Sequence, residues 1–286
     1  MFQVNQAKFK GAAPLDKNIN GKVFPYQKDD SDYRWAVKHI ETNDSKTFLK
    51  NVQHIILAFN CNHPAILPIS GFNIEEDVQD DTFYWNIYIK MHRMSGSVKD
   101  LMKEHIENNT FVLEEDLIKY MYNLSSGLEY LHSRKIPHGN IKPTNILVDF
   151  EGKLRLSDIG MIKSTANGST LQDANSKIEN RFFVAPEMLV MLEQPKKREL
   201  YRADAWSLGM ILATLCLPDL SKREEPILTN KRYSYITEGL NQLHERYNKI
   251  VIDLIVGLLK SNPIERVEMS HIKRVLEENF PDLLVS

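Results

Sequence analysis

The residues that could carry out chemistry lie in short motifs that are far apart in the chain. Residues 36–38 (AVK) end in a lysine, residues 138–148 (HGNIKPTNILV) place a lysine between asparagines, and residues 157–160 (SDIG) contain an aspartate. A lysine ammonium group neutralises anions, and asparagine and aspartate supply oxygen ligands for hard cations. An isolated AVK is common by chance, so the order and spacing of the motifs carry the information.

Three further motifs follow these in the chain. They are residues 185–187 (APE), 204–209 (DAWSLG) and 262–266 (NPIER). Over roughly residues 10–280, the sequence resembles the eukaryotic protein kinase domain, in which such motifs occur in this order. The pair Lys142-Pro143 resembles the serine/threonine branch of that family rather than the tyrosine branch.

The resemblance implies that ATP and Mg²⁺ are the cofactors, and it assigns roles to four residues. Lys38 would pair with the α- and β-phosphates of ATP, and Lys142 would face the γ-phosphate. Asp158 would hold one Mg²⁺ and Asn145 a second, because hard oxygen ligands suit this ion. The implied partners are ATP and a protein that the sequence does not identify.

Other positions match the family pattern around the nucleotide. Met91 occupies the gatekeeper position, and residues 92–94 form the hinge. Glu187 and Arg266 match a buried ion pair, and Asp204 matches the residue that anchors the catalytic-loop backbone. The residues implied to contact the base and the hinge are Val23, Ala36, Met91, Arg93, Met94 and Leu147.

The catalytic loop departs from the family pattern. It has the sequence His138-Gly139-Asn140 where the family has His-Arg-Asp. Asn140 replaces the carboxylate that accepts or orients the substrate proton, and an amide carbonyl is a weak acceptor. Loss of such a base costs about 10²–10⁴-fold in rate. Gly139 replaces an arginine that often binds an activation-loop phosphate. An intact catalytic set is therefore not expected, although Lys142 is retained.

The glycine-rich loop departs as well. Counting back from Val23 places Asp16, Asn18 and Gly21 at the three glycine positions of the family motif. Glycines there let backbone N–H groups approach phosphates closely, and only one remains.

The helix after the Lys38 strand also lacks its usual residue. Residues 45–74 contain no Asp or Glu, so no carboxylate of this segment can pair with Lys38. Asn51 or His54 takes that position, and Asp158 is the alternative group to orient the lysine. Further along, Asn180 stands where the family has a threonine that bonds the catalytic aspartate.

These departures affect separate parts of one mechanism. They predict a pseudokinase that acts as a scaffold or allosteric partner and retains some capacity to bind Mg·ATP. The alternative is a weakly active or unconventional Ser/Thr kinase that transfers the γ-phosphate of ATP. A third hypothesis is a different use of the fold, because fold does not determine function.

The motifs need two kinds of structural element to position them. Residues 34–40 and 83–91 are rich in aromatic and β-branched residues and predict strands, with a helix over 47–59 between them. Residues 75–81 (EEDVQDD) are interpreted as a solvated hairpin turn. Residues 117–131, 204–217 and 249–259 predict helices, and residues 146–157 predict a strand–turn–strand. The resulting fold class is α+β and bilobal, with a β-rich N-lobe over 1–93 and a helical C-lobe over 94–286.

Composition excludes several classes of protein. The 286 residues include 36 Lys+Arg and 38 Asp+Glu, a net charge of −2, so nothing favours a nucleic-acid partner. No run approaches about 18 apolar residues, so no membrane span is expected. Cys61 and Cys216 predict buried, reduced thiols of a cytoplasmic protein. The basic cluster at 195–198 (PKKR) is interpreted as a solvated loop.

Overall fold

The computed structural model describes residues 12–18, 21–26, 34–160, 182–190, 196–217, 220 and 230–284. The chain divides into two compact units, of which the first ends at Ser95 and the second begins at Gly96. This division lies two residues after the lobe boundary expected from the sequence. An antiparallel sheet dominates the first unit and helices dominate the second, so the α+β class of a bilobal kinase fold is confirmed.

The first unit is a five-stranded antiparallel sheet with one helix against it. In spatial order the strands are β1 (Asp16–Asn18), β2 (Gly21–Tyr26), β3 (Trp35–Thr42), β5 (Thr82–His92) and β4 (Ile69–Gln79). Helix α1 (Ser45–Phe59) packs on β3 and β4. It begins at Asp44, whose carboxylate accepts a hydrogen bond from the Thr47 N–H at 2.8 Å.

The acidic run at 75–81 is not the hairpin turn that we expected. Strand β4 continues through Gln79, and only Asp80 and Asp81 form the turn, both with positive φ (48° and 61°). A two-residue turn with positive φ at both positions matches the twist of an antiparallel hairpin, and aspartate tolerates this conformation. Glu75, Glu76 and Asp77 therefore lie on an exposed edge strand, where charged side chains oppose edge-to-edge aggregation.

The second unit is built around two long helices, α3 (Glu114–Ser133) and α5 (Lys197–Cys216). The apolar face predicted for residues 117–131 is confirmed, because its five apolar side chains are all fully buried in α3. Helix α5 is buried on all sides from Asp204 to Cys216, as expected for a helix at the centre of a helical domain. It begins at Lys197, seven residues before the predicted start, so Lys197 and Arg198 belong to a helix and not to a loop.

Shorter elements complete the second unit. Strands β6 (Gly96–Ser97), β7 (Ile146–Val148) and β8 (Leu154–Leu156) form a three-stranded antiparallel sheet, and a 3₁₀ turn (Pro143–Asn145) precedes β7. The predicted strand–turn–strand at 146–157 is thereby confirmed. The remaining helices are α2 (Val98–Glu107), α4 (Pro186–Val190), α6 (Asn230–Asn241), α7 (Lys249–Leu258), α8 (Met269–Asn279) and α9 (Pro281–Leu284), and a 3₁₀ turn (Pro263–Glu265) lies before α8.

Both cysteines are free and buried, as predicted. Burial raises the pKa of the Cys216 thiol, which keeps it protonated and unreactive. Of the helices in the described part of the chain, none combines the length and apolarity that crossing a bilayer requires.

Candidate functional site

The first unit places four of the predicted site residues on one face of its sheet. In the strand register, Val23 lies opposite Lys38 and Ala36 lies opposite Met91. Directly opposed residues of an antiparallel pair share a face, and so do residues i and i+2, which places all four side chains together. Lys38 is only 5% exposed and Ala36 and Met91 are buried, so on this face the described residues form an apolar surface around a buried cation.

Arg93 and Met94 follow directly after β5 and are half-buried. The Arg93 N–H donates a hydrogen bond to the Arg34 carbonyl at 2.7 Å, which ties this segment to the residue before β3. The backbone of residues 93 and 94 is thus fixed beside the sheet face that carries Val23, Ala36, Lys38 and Met91, at the position expected for a hinge.

The one retained glycine of the glycine-rich loop has a steric role in the sheet. Gly21 begins β2 with φ of 124°, and a Cβ at this position would lie 2.4 Å from the His39 carbonyl oxygen. Asp16 pairs with Val23 and Asn18 with Gly21 in a short hairpin. The strand register therefore accounts for this glycine without reference to a phosphate ligand.

Helix α1 has no acidic residue to offer to Lys38. Its sequence, SKTFLKNVQHIILAF, contains neither Asp nor Glu, and Asn51 and His54 are both half-buried. The helix is held on the sheet by aromatic pairs, Phe48 stacked on Trp85 at 4.8 Å and Phe59 against Phe72 at 5.9 Å.

In the second unit, Asp204 anchors the catalytic loop, as the resemblance implied. Its carboxylate accepts hydrogen bonds from the backbone N–H groups of His138 (2.8 Å) and Gly139 (2.9 Å). Its Oδ2 also lies 2.9 Å from the His132 Nε2. We had not singled out His132, which lies six residues before His138, one residue beyond the predicted helix over 117–131 and within the last turn of α3. One buried carboxylate therefore holds three groups of the loop and its preceding helix.

Asn140 is held in the loop through its backbone. Its N–H donates to His138 Nδ1 at 3.3 Å, and its carbonyl accepts from the Asn145 side-chain amide at 2.8 Å. Its own side-chain nitrogen Nδ2 is buried and has no hydrogen-bond partner within the described residues. The base position thus presents a neutral amide, which cannot take up a proton at ordinary pH.

His138 is fully buried, and this burial lowers the pKa of its imidazole, although Asp204 and Asp158 partly oppose the shift. The ring is therefore neutral at pH 7. Because Nδ1 accepts the Asn140 N–H, the ring proton lies on Nε2, which is buried without a hydrogen-bond partner in the described part of the chain.

Asn145 and Asp158 supply the oxygen atoms that a Mg²⁺ site requires. Asn145 is 1% exposed, and because its Nδ2 is bonded to the Asn140 carbonyl, Oδ1 is its remaining acceptor. The backbone carbonyl of Asn145 also accepts from both the N–H (2.9 Å) and the hydroxyl (3.0 Å) of Ser157. Asp158 follows with φ of 55°, a left-handed conformation that aspartate adopts more readily than most residues.

These two side chains fit a weakly held Mg²⁺ better than a resident metal. Among the described residues no group of three or more His, Cys, Asp or Glu side chains is arranged to hold an ion. Mg²⁺ commonly uses one or two carboxylate or amide oxygens together with substrate phosphates.

Lys142 and Leu147 lie close to Asn145 in the chain. Lys142 is half-buried and directly precedes the 3₁₀ turn that contains Asn145. Leu147 is half-buried in β7, where it pairs with Ser97 and Arg155. The second unit thus gathers Asn140, Lys142, Asn145, Leu147 and Asp158 within one loop and the small sheet that follows it.

The predicted ion pair between Glu187 and Arg266 is present. Arg266 donates two hydrogen bonds to the Glu187 carboxylate, at 2.6 and 2.8 Å. A contact that we did not expect lies nearby, where the Ser207 hydroxyl donates to the Phe183 carbonyl at 2.7 Å. Asn180 lies outside the described residues. So do Ser164, Thr165, Ser169 and Thr170, which by the resemblance lie in the activation segment as candidate phosphorylation sites.

Comparison with known proteins agrees with the sequence motifs. The family model "Protein kinase domain" matches residues 19–278. The chain is 29% identical over 195 residues to serine/threonine-protein kinase 10 of Xenopus tropicalis and 31% identical over 196 residues to serine/threonine-protein kinase 10-A of Xenopus laevis. Each match covers 67% of this chain and 19% of the relative, so the chain spans about a fifth of these proteins. An Aurora kinase of Candida glabrata is 25% identical over 271 residues, covering 93% of this chain and 69% of that protein.

Proposed function

Because the chain belongs to the protein kinase domain family, we propose that it is a pseudokinase that acts as a scaffold or allosteric partner of another protein. The observation that carries the proposal is Asn140 at the position of the catalytic base. Its side chain is a neutral amide whose buried nitrogen is a donor, so it offers no group of suitable basicity to a substrate hydroxyl.

Two further features support the proposal. Helix α1 contains no carboxylate that could orient Lys38, and the glycine that remains near β2 is required by its contact with His39. Positioning and charge neutralisation account for most of phosphoryl-transfer catalysis, so losses at separate parts of the machinery reduce the rate together. The surrounding scaffold, in contrast, keeps the Asp204 anchor and the Glu187–Arg266 pair.

The alternative is a weakly active Ser/Thr kinase, and specific observations favour it. Lys38, Asn145 and Asp158 are retained, and the relatives named above are serine/threonine-protein kinases and an Aurora kinase. The retained side chains would bind the phosphates and Mg²⁺ of ATP in either case. The two candidates therefore differ in phosphate transfer and not in nucleotide binding.

Phosphate transfer from radiolabelled ATP to generic basic protein substrates separates the candidates. We expect no incorporation above that of the Lys38→Met and Asp158→Ala variants. We also expect Asn140→Asp to remain inactive, because α1 and the β1–β2 hairpin still lack their usual residues. Transfer by the natural chain that both variants abolish would refute the pseudokinase role.

Nucleotide binding is tested by thermal unfolding with ATP, with and without Mg²⁺. A ligand at a hundredfold excess over its Kd stabilises the folded state by about 2.7 kcal/mol. We expect a rise in melting temperature that requires Mg²⁺ and is lost in Asp158→Ala. No shift at millimolar ATP would contradict binding, while leaving the scaffold role intact.

A further inference from the structure

A cavity of about 340 Å³ lies within the second unit, between the end of α3, the first two turns of α5 and the start of α8. Its volume is near the lower end of the range of about 300–1,000 Å³ found for ligand pockets. The rings of His132 and Tyr201, which stack at 4.6 Å, line it together with Ser270. The cavity can therefore receive one aromatic side chain.

Among the described residues that line this cavity, one cationic side chain has no ion-pair partner. Glu129 is paired with Lys273 at 2.6 Å, and Arg202 is paired with Glu268 at 2.8 Å. Arg198 also lines the cavity and makes no ion pair within the described part of the chain. An acidic ligand group would thus meet an arginine, whose planar guanidinium binds phosphate through two parallel hydrogen bonds.

A basic patch adjoins the cavity in the chain, next to the lining residues Ser133 and Arg198. It consists of Arg134, Lys135, Lys196, Lys197 and Arg198, all of which are exposed. The Lys197 ammonium group donates to the Lys135 carbonyl at 3.3 Å, which brings the two basic segments together. The nearby Glu199 is occupied, because its carboxylate accepts the Lys196 N–H at 2.6 Å.

The stability of α5 does not explain these cations. Lys197 and Arg198 are its first two residues, where positive side chains oppose the helix dipole. Residues that destabilise their own secondary structure are often found at functional sites, where a bound ligand offsets the cost. An anion bound here would relieve the repulsion.

We propose that the basic patch and the cavity bind an acidic segment of a partner protein, with a phosphorylated tyrosine side chain inside the cavity. The phosphate pairs with Arg198, the ring packs against His132 and Tyr201, and flanking acidic residues meet the lysines of the patch. A peptide is favoured over nucleic acid because the chain has a net charge of −2 and the cavity admits one side chain.

The site is linked to the catalytic loop through one residue. His132 lines the cavity, and its Nε2 lies against the Asp204 carboxylate that also holds the His138 and Gly139 N–H groups. A partner bound at this cavity thus contacts the support of the loop. The inference rests on the proposed partner-binding role and specifies the chemistry of the partner.

The test measures fluorescence anisotropy of a labelled peptide that carries one phosphotyrosine among glutamates and aspartates, without nucleotide. We expect the unphosphorylated peptide to bind at least tenfold more weakly, because charge-assisted hydrogen bonds contribute more than neutral ones. Arg198→Ala should weaken the phosphopeptide about tenfold. Lys103→Ala, which removes a 71% exposed cation of α2, is the matched control and should have no effect.

A second variant separates the cavity from the patch. Ser270 is exposed at the cavity rim, so Ser270→Trp should block the cavity without changing charge and should weaken phosphopeptide binding. If this variant binds normally, or if single-stranded DNA of equal charge binds as tightly as the phosphopeptide, the surface is a general polyanion site and the inference is wrong. Melting curves of each variant verify folding.

The result of the peptide-binding test does not depend on the result of the phosphotransfer assay. Absence of peptide binding would refute this inference and leave the pseudokinase role standing. Measured phosphate transfer would refute the pseudokinase role while leaving a positive binding result in place.

Discussion

Removing the charge of Glu187 should destabilise the second unit strongly. The side chain of Arg266 is fully buried and makes four hydrogen bonds, two to Glu187 and one each to the carbonyls of Lys260 (2.9 Å) and Arg202 (2.8 Å). Glu187→Gln keeps the shape but leaves the guanidinium without a counter-charge. Breaking a buried pair in this way costs about 3–5 kcal/mol.

The assay is denaturant unfolding followed by tryptophan fluorescence. The ring of Trp206 lies 5.0 Å from the Arg266 guanidinium, and Trp206 is the one tryptophan of the second unit. In a Trp35→Phe/Trp85→Phe background, its signal reports on this unit alone. We expect Glu187→Gln to lower the free energy of unfolding by about 3 kcal/mol, at the lower end of that range because the amide keeps one acceptor.

A matched substitution provides the control. Glu268 pairs with Arg202 at 2.8 Å but is 66% exposed, so Glu268→Gln should cost less than about 1 kcal/mol. Replacing both partners, as in Glu187→Leu with Arg266→Met, should cost less than Glu187→Gln alone, because no charge is then left buried. Equal, small effects of Glu187→Gln and Glu268→Gln would refute the reasoning.

Three further predictions concern stability. Because burial lowers the pKa of His138, its contribution to stability is complete above the unfolded-state pKa of about 6.5 and is lost below it. As the pH falls below about 6.5, the free energy of unfolding should therefore decrease more steeply than in His138→Phe, by up to about 1.4 kcal/mol per pH unit. Identical pH profiles of the two proteins would contradict this. Gly21→Ala should lower the free energy of unfolding of the first unit by about 2 kcal/mol more than Gly152→Ala lowers that of the second. The reason is that a Cβ at Gly21 would clash with the His39 carbonyl, whereas a Cβ at Gly152 meets nothing within 4 Å. Equal losses in denaturant unfolding would disprove this steric argument. Asp204→Asn should lower the free energy of unfolding by about 2 kcal/mol, since its amide nitrogen would face N–H donors, and a loss under about 0.5 kcal/mol would contradict the anchor role.

The helical elements were largely predictable because their side chains repeat locally. The spacing of apolar residues in α3 identified its buried face, and the apolar composition of α5 indicated a buried helix. The start of α5 was missed because its first turn carries Lys197 and Arg198, which a helix N-terminus disfavours. The acidic run of β4 was missed because charge suggests a turn, whereas pairing with β5 extends the strand.

The sequence alone determined the family, the class of fold, and the residue types at each position of the pattern, including Asn140 and the absence of a carboxylate in α1. These properties depend only on the order and spacing of residues along the chain. Only the tertiary structure decided that Asp204 holds three groups, that Gly21 is required by the His39 carbonyl, and that basic segments 62 residues apart adjoin one cavity. Such contacts join residues distant in the chain, and their formation depends on packing that no local period encodes.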